Sequence, residues 1–471
     1  MGPGNKSRDD GGEVGAMIAD LAAASTLKDL LAAEAARFTA EHPRSVAMAA
    51  QAASVWRGGV PMHWMGDWAS PSPIFAAQGV GAQITDVDGA LYDDFCLGDT
   101  PGMFGHGEAS VAAAIADQAR RGTGFMLPTA SSILVGRLLA ERFGLPLWQT
   151  ATTASDANRA AIRWARAVTQ RPVILVFDGC YHGMVEDAFV VLKDGQRVMK
   201  PGLLGQVHDL TATTWVVPFN DLPALEMALA SDQVAAVLAE PVMTNCGMIL
   251  PEPGFHEALR RLTRDAGTLL ILDETHTLSS GPGGYVGLHG LEPDMLVVGK
   301  AIAGGVPAAV WGVTAELSAR MDEAQARTGP GQSGIGTTLS GNALAMAAMR
   351  AMLTEVMTPA AYDRMLTGAE RLVAGLNGVI AARGLPWSVV HVGARVELVF
   401  ADPPPKNAAQ MRKALDHDLV AALHLWLINR GVLIAPFHNM MLVSPVTEDA
   451  SIDRLVAAVD GFAGALEGLS A

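Results

Sequence analysis

No two cysteines in this chain stand close enough to form a C-x-x-C pair or a metal-binding knuckle. Cys96, Cys180 and Cys246 are the only three, so a disulfide scaffold and a cysteine-based metal site are not expected, and free thiols of a reducing compartment are. No apolar run reaches the ~20 residues that a membrane span requires. Positive charge is also scarce: 33 Lys and Arg against 48 Asp and Glu leave a formal net charge of −15. That balance argues against a nucleic-acid partner, which needs a basic face. No G-x-G-x-x-G follows a first strand, and "GPGGYVG" reads as a loop, so a nicotinamide-binding Rossmann domain is not expected either. The opening "MGPGNKSRDDGGEVG" mixes acids with its basic residues and has no apolar segment directly behind it. It matches neither a secretory signal nor a transit peptide. Its composition predicts a disordered tail over 1–18, with cytoplasmic residence as the default expectation.

What is present is apolar bulk. Hydrophobic residues make up 50% of 471, enough for a large core and two lobes. The pattern predicts a helical arm and part of a small domain over 19–104, a large domain over 105–345, and a C-terminal small α+β domain over 346–471. Asp88-Gly89 between alternating apolar residues reads as a hairpin turn. From about residue 105, helical stretches such as "DANRAAIRWARAVTQ" alternate with continuous apolar runs: "PVILVFDG", "VAAVLAEPV", "TLLILDE" and "MLVVGK". Buried strands alternating with amphipathic helices predict an α/β fold with a mostly parallel sheet. A long helix is expected from about Ser340.

Parallel sheets of this kind place ligands at the carboxyl ends of their strands. "TLLILDE" delivers Asp273 to such an end, and "MLVVGK" delivers Lys300. An ammonium behind an apolar run either reaches solvent along its own stem or is an amine held ready to attack a carbonyl. A lysine and a carboxylate at neighbouring strand ends suit pyridoxal phosphate: the lysine bonds the cofactor, and the acid pairs with its ring nitrogen. "TTASDAN" opens a helix, so Thr153, Ala154 and Ser155 make either a phosphate cradle or an ordinary N-cap at Ser155. "GIGTTLSGN" places Thr338 at a second hydroxyl-rich helix start. In "FDGCYHG", Tyr181 either stacks on the cofactor ring or packs in the core. Asn245 of "AEPVMTN" is a candidate donor to the cofactor's phenolic oxygen, and Glu240 reads equally as a structural acid.

These motifs occur together and in order with "PEPGFHEALRRLTRDAGTLLILDE" and "GTTLSGNALAMAA". From about Gly58 onward the chain resembles the class III aminotransferases of pyridoxal phosphate fold type I, in the branch of glutamate-1-semialdehyde aminomutase and β-amino-acid aminotransferases. The resemblance implies a seven-stranded, mostly parallel sheet in the large domain. It implies that Lys300 carries the cofactor and then shuttles a proton, with Asp273 at the ring nitrogen, Tyr181 on one ring face and Thr275 beneath the other. It sets Thr153, Ala154 and Ser155 around the phosphate. Thr338 corresponds to the threonine that reaches the neighbouring subunit's phosphate, which implies a homodimer with shared active sites.

The chain departs from the family at four points. Ala154 stands where the phosphate loop has glycine, Thr275 where it has valine, and the arginine expected in "THTLSSG" is absent. The arginines that bind substrate carboxylate are also replaced, by His63, Trp64 and Trp68 in one region and by "FHN", which includes His438, in the other. Loss of a bidentate fork is not conservative. The expected activity is therefore transfer of an amino group from an amine or amino acid with a large apolar or aromatic part to a keto acid or other carbonyl acceptor. Arg395 is a candidate replacement anchor, or a surface or ion-paired arginine. An aminomutase and a racemase or epimerase on the same scaffold are the alternatives.

Overall fold

Residues 26–469 are described by the computed structural model; the tail expected over 1–18 lies outside them. The four apolar runs form the strands Val173–Phe177, Val234–Ala239, Leu269–Asp273 and Met295–Val298, buried along their whole length. Burial on both faces explains why they read as continuous rather than alternating. With Thr214–Val217, Leu147–Ala151 and Ala309–Val313 they make one seven-stranded sheet. Ala309–Val313 pairs antiparallel with both its neighbours, and the other pairings are parallel. The carboxyl ends of the parallel strands consequently open on one edge. The helix Ala154–Thr169 starts there, directly after Leu147–Ala151.

The second lobe combines both chain ends. Ser388–Val392, Arg395–Val399 and Met440–Leu442 form an antiparallel sheet. Gln83–Asp86 and Leu91–Asp94 form the expected hairpin, with Gly89 at φ +92°, and Val432–Leu433 joins Leu91–Asp94 in parallel. Leu30 of the first described helix, Leu27–Glu41, shares a core with Leu372, Leu423 and Phe462. The larger core surrounds the seven-stranded sheet and extends to Met365.

The helix expected from Ser340 starts later, at Ala343, and runs to Ala351, where it continues directly as a π-helical turn over Met352–Val356. Asn342 is its cap, accepting from the Ala345 N–H at 2.9 Å. Thr338 therefore opens no helix; it lies exposed in the glycine-rich segment before it. Asn342 supplies the cap because it is the residue directly before the helix, four positions beyond Thr338. Among the described residues no helix is long and apolar enough to cross a membrane.

Candidate active site

A cavity of about 530 Å³ lies over the carboxyl edge of the large sheet. Two glycines let its floor close up. A Cβ on Gly183 would lie 2.0 Å from Ser155 Oγ, and one on Gly299 would lie 2.9 Å from the Cβ of Ala154. The methyl group that Ala154 adds to the phosphate loop is thus accommodated by the missing side chain opposite it.

Of the residues anticipated at the site, Thr153, Ala154, Ser155, Tyr181, Asn245, Asp273, Thr275, Lys300, Trp64 and Trp68 all line this cavity. Asp273 is held from three sides. Its Oδ2 accepts from Asn158 Nδ2 at 2.8 Å and faces His182 Nδ1 at 3.0 Å, and its Oδ1 accepts from the Thr275 N–H at 3.1 Å. Burial opposes its charge, yet these donors hold it below the usual carboxylate range. Burial likewise opposes a charge on His182, but the bond to Asp273 outweighs it and the imidazole is pushed up to about 10. Asp273 is accordingly an ionised acceptor of set orientation.

The cap lies two residues before the expected one, Ser155. Thr153 is the N-cap, accepting from the Asp156 N–H at 3.3 Å. Ser155 sits inside the first turn, where its Oγ accepts from the Met184 N–H at 3.0 Å. First-turn N–H groups have no carbonyl partner within a helix, so this end is suited to an anion.

Trp64 packs edge-on against Tyr181 and Phe437, with ring centroids at 5.8 and 5.5 Å. Together with Met62, Met65 and Trp68 they make an apolar wall. His63 is exposed and stands beside Trp64, 5.3 Å between centroids, without lining the cavity. His438 turns away to Glu397 Oε2 at 2.6 Å. Asn245 donates to Glu240 Oε2 at 2.9 Å.

Arg395 is neither a surface residue nor ion-paired: it is 0% exposed and does not line the cavity. Its Nε donates to the His276 carbonyl at 3.0 Å, its Nη1 faces Met440 Sδ at 3.4 Å, and its Nη2 bonds Thr100 Oγ1. It braces the loop of residues 97–100, where Leu97, Gly98, Asp99 and Thr100 all have positive φ. Arg395→Ala is expected to remove about 3 kcal/mol of stability by leaving a void and unpaired acceptors. Thermal unfolding measures this, and an unchanged melting temperature would contradict the bracing role.

Sequence reasoning missed two neighbours of Lys300. Its Nζ lies 2.5 Å from Asp99 Oδ2 and 2.5 Å from His276 Nε2. Lys300 itself has φ +48°, a left-handed conformation costly for a residue with a Cβ and typical of functional sites. The signal for His276 was its place three residues beyond Asp273, at the same sheet edge. Asp99 carried no local signal beyond its glycine-bearing loop.

The arrangement fits pyridoxal phosphate. An amine and an ionised carboxylate share one cavity, a helix start is suited to an anion, and Thr275 Oγ1 lies buried without a protein partner. The fold and this cavity define a pyridoxal phosphate enzyme of fold type I. The profile of the family Aminotransferase class-III matches residues 65–461, and the chain belongs to that family. It is 35% identical to the glutamate-1-semialdehyde 2,1-aminomutase of Roseiflexus castenholzii, over 88% of this chain and 96% of that one. A glutamate-1-semialdehyde-aminomutase from Pseudomonas aeruginosa PAO1 superposes with TM-score 0.91 at 45% identity, covering 94% of this chain and 98% of that one. A lysine-to-alanine variant of that neighbour was solved in complex with PMP. The β-phenylalanine aminotransferase of Variovorax paradoxus superposes with TM-score 0.83 at 28% identity, over 93% and 98% of the two chains.

Proposed function

We propose that this enzyme moves an amino group between carbons, with Lys300 as the base and acid that carries the proton. The observation that carries this reading is Lys300 Nζ opening on the same cavity as the triply bonded Asp273 carboxylate. When bound, the cofactor supplies a sink for the electrons released as a C–H bond breaks. Asp273 would hold its ring nitrogen, Thr153 and Ser155 with the helix start would hold its phosphate, Tyr181 and Thr275 would flank the ring, and Asn245 would donate to its hydroxyl oxygen. The exposed Thr338 supports a homodimer in which that segment reaches the second subunit's site.

The aminomutases among its relatives support transfer within one molecule, in preference to the exchange between two molecules anticipated from the sequence. A second reading, intermolecular transfer, is supported by the cavity wall. Among the described residues no arginine lines it, so none of them offers the bidentate fork that a substrate carboxylate calls for. In both readings the substrate is an amine whose body is apolar or aromatic, seated against Trp64, Trp68 and Phe437.

A panel of amines with and without a carboxylate, each run with and without a carbonyl acceptor, tests this. Intramolecular transfer exchanges an amine with a carbonyl of the same molecule, so panel members that carry both yield an isomer without acceptor; intermolecular transfer sustains turnover to a carbonyl product only with one. Preference for carboxylated amines across the panel would reject the substrate class. Trp64→Ala is expected to raise KM for an aromatic amine about 10- to 100-fold while kcat holds. Steady-state kinetics check it, and an unchanged KM would remove Trp64 from the pocket wall.

A further inference from the structure

Lys300 is joined to a chain of hydrogen bonds that runs along the inner wall of the cavity, which His276 and Glu240 also line. His276 Nε2 lies 2.5 Å from Lys300 Nζ, and His276 Nδ1 lies 2.6 Å from Thr244 Oγ1. The Thr244 hydroxyl donates to Glu240 Oε2 at 2.6 Å. The donor and acceptor roles are forced from the far end. A carboxylate accepts only, so the Thr244 proton points to Glu240. Thr244 Oγ1 must then accept from His276, which puts the ring proton on Nδ1 and leaves Nε2 bare. A bare Nε2 is what an ammonium at Lys300 needs.

We propose that His276, Thr244 and Glu240 form a proton relay for Lys300. The inference rests on the amino-transfer reading, in which Lys300 must gain and lose a proton at Nζ. One proton leaves Nζ for Nε2 as the Nδ1 proton passes to Thr244 Oγ1 and the Thr244 proton passes to Glu240 Oε2. Lys300 ends as a neutral amine and Glu240 as a neutral acid; reversal restores both, and no other reactant is involved.

Three features suit these residues to the task. His276, Thr244 and Glu240 are 7%, 1% and 3% exposed, so solvent does not short-circuit the path. Burial, and then the cationic Lys300 and Arg395 nearby, hold the His276 imidazole well below its ordinary range, so it stays neutral and able to accept. Glu240 Oε2 also accepts from the Thr244 N–H at 3.0 Å and from Asn245 Nδ2 at 2.9 Å. These donors fix the end of the path in place. Asp99 also grips Nζ, with an ion pair at 2.5 Å, and takes no part in the relay.

The first test is the ring tautomer. In protein with 15N-labelled histidine, with His276→Gln used for assignment, the solid-state spectrum is expected to show His276 neutral with its proton on Nδ1. This holds with or without cofactor, so it stands apart from whether the amino-transfer reading survives. A proton on Nε2, or an imidazolium at neutral pH, would overturn the relay.

The second test is kinetic, on the cofactor-loaded enzyme. Glutamine at 276 can accept from Lys300 and donate to Thr244 but cannot pass a proton through itself. His276→Gln is expected to lower kcat about tenfold or more with KM within about twofold. Thr244→Val should do the same, and the double variant should lose no more than either alone. Wild-type kcat in folded His276→Gln, or losses that simply multiply, would refute the relay, and a loss carried in KM rather than kcat would mark a merely structural histidine. Should His276→Gln fail to fold, Thr244→Val and the tautomer of its His276 carry the decision.

Discussion

Lys300→Ala is expected to retain the fold and to lose turnover by about 10⁴-fold or more, the upper end of what a positioned acid–base group contributes. Covalent attachment of pyridoxal phosphate should vanish with it. Borohydride reduction of the wild-type enzyme should leave a cofactor adduct on one peptide, the one bearing Lys300, and no adduct at all in the variant. The expectation follows from position. Lys300 is the lysine that lines the cavity, and its φ of +48° aims its stem from the end of Met295–Val298 across the sheet edge. Alanine at the same position carries the same backbone strain. What the variant loses structurally is a partly exposed ion pair to Asp99 and the contact with His276 Nε2, together a small part of the stability. Thermal unfolding should therefore change by only a few degrees. A variant that still turned over, or an adduct mapped to another lysine, would remove Lys300 from the chemistry.

Asp273→Asn is expected to lower kcat by about 10²- to 10³-fold, a loss of ~3–4 kcal/mol of transition-state stabilisation. The physical argument has two parts. First, the amide carries no charge to hold a ring nitrogen in its protonated form. Second, the carboxylate accepts from Asn158, His182 and Thr275 together, and an amide turns one of its two ends into a donor. One of those three partners must then lose its acceptor, and a buried unmet donor costs ~1–3 kcal/mol. His182, held protonated at about 10 by Asp273 against the effect of burial, should titrate nearer its ordinary range in the variant. The 15N signal of that ring reads this directly. Unchanged kcat together with a still-protonated His182 would show that the charge on Asp273 is not what matters.

Much of the fold and the heart of the site were legible because they are local. Continuous apolar runs between amphipathic helices identify a parallel sheet, and such a sheet presents its polar strand ends at one edge. That placed Asp273, Lys300, Tyr181 and the Thr153–Ser155 turn together before any coordinates. The helix start near Ser340 was misread because threonine, serine and asparagine all cap helices, and the chain picks the one whose geometry fits. Arg395 was misread for a different reason. Its neighbours on "ARVELVF" predict a strand but do not say that its guanidinium is met by the His276 carbonyl and Thr100.

The sequence alone thus determined the sheet and the cofactor class and brought Asp273 and Lys300 to one sheet edge, since periodicity and strand-end chemistry act over a few positions. Only the tertiary structure decided what surrounds Lys300. Asp99 lies 201 residues away along the chain, and Thr244 reaches His276 from a different strand end. Contacts of that kind follow from how strands and loops distant in the chain pack together, and packing is a property of the whole core rather than of any local pattern.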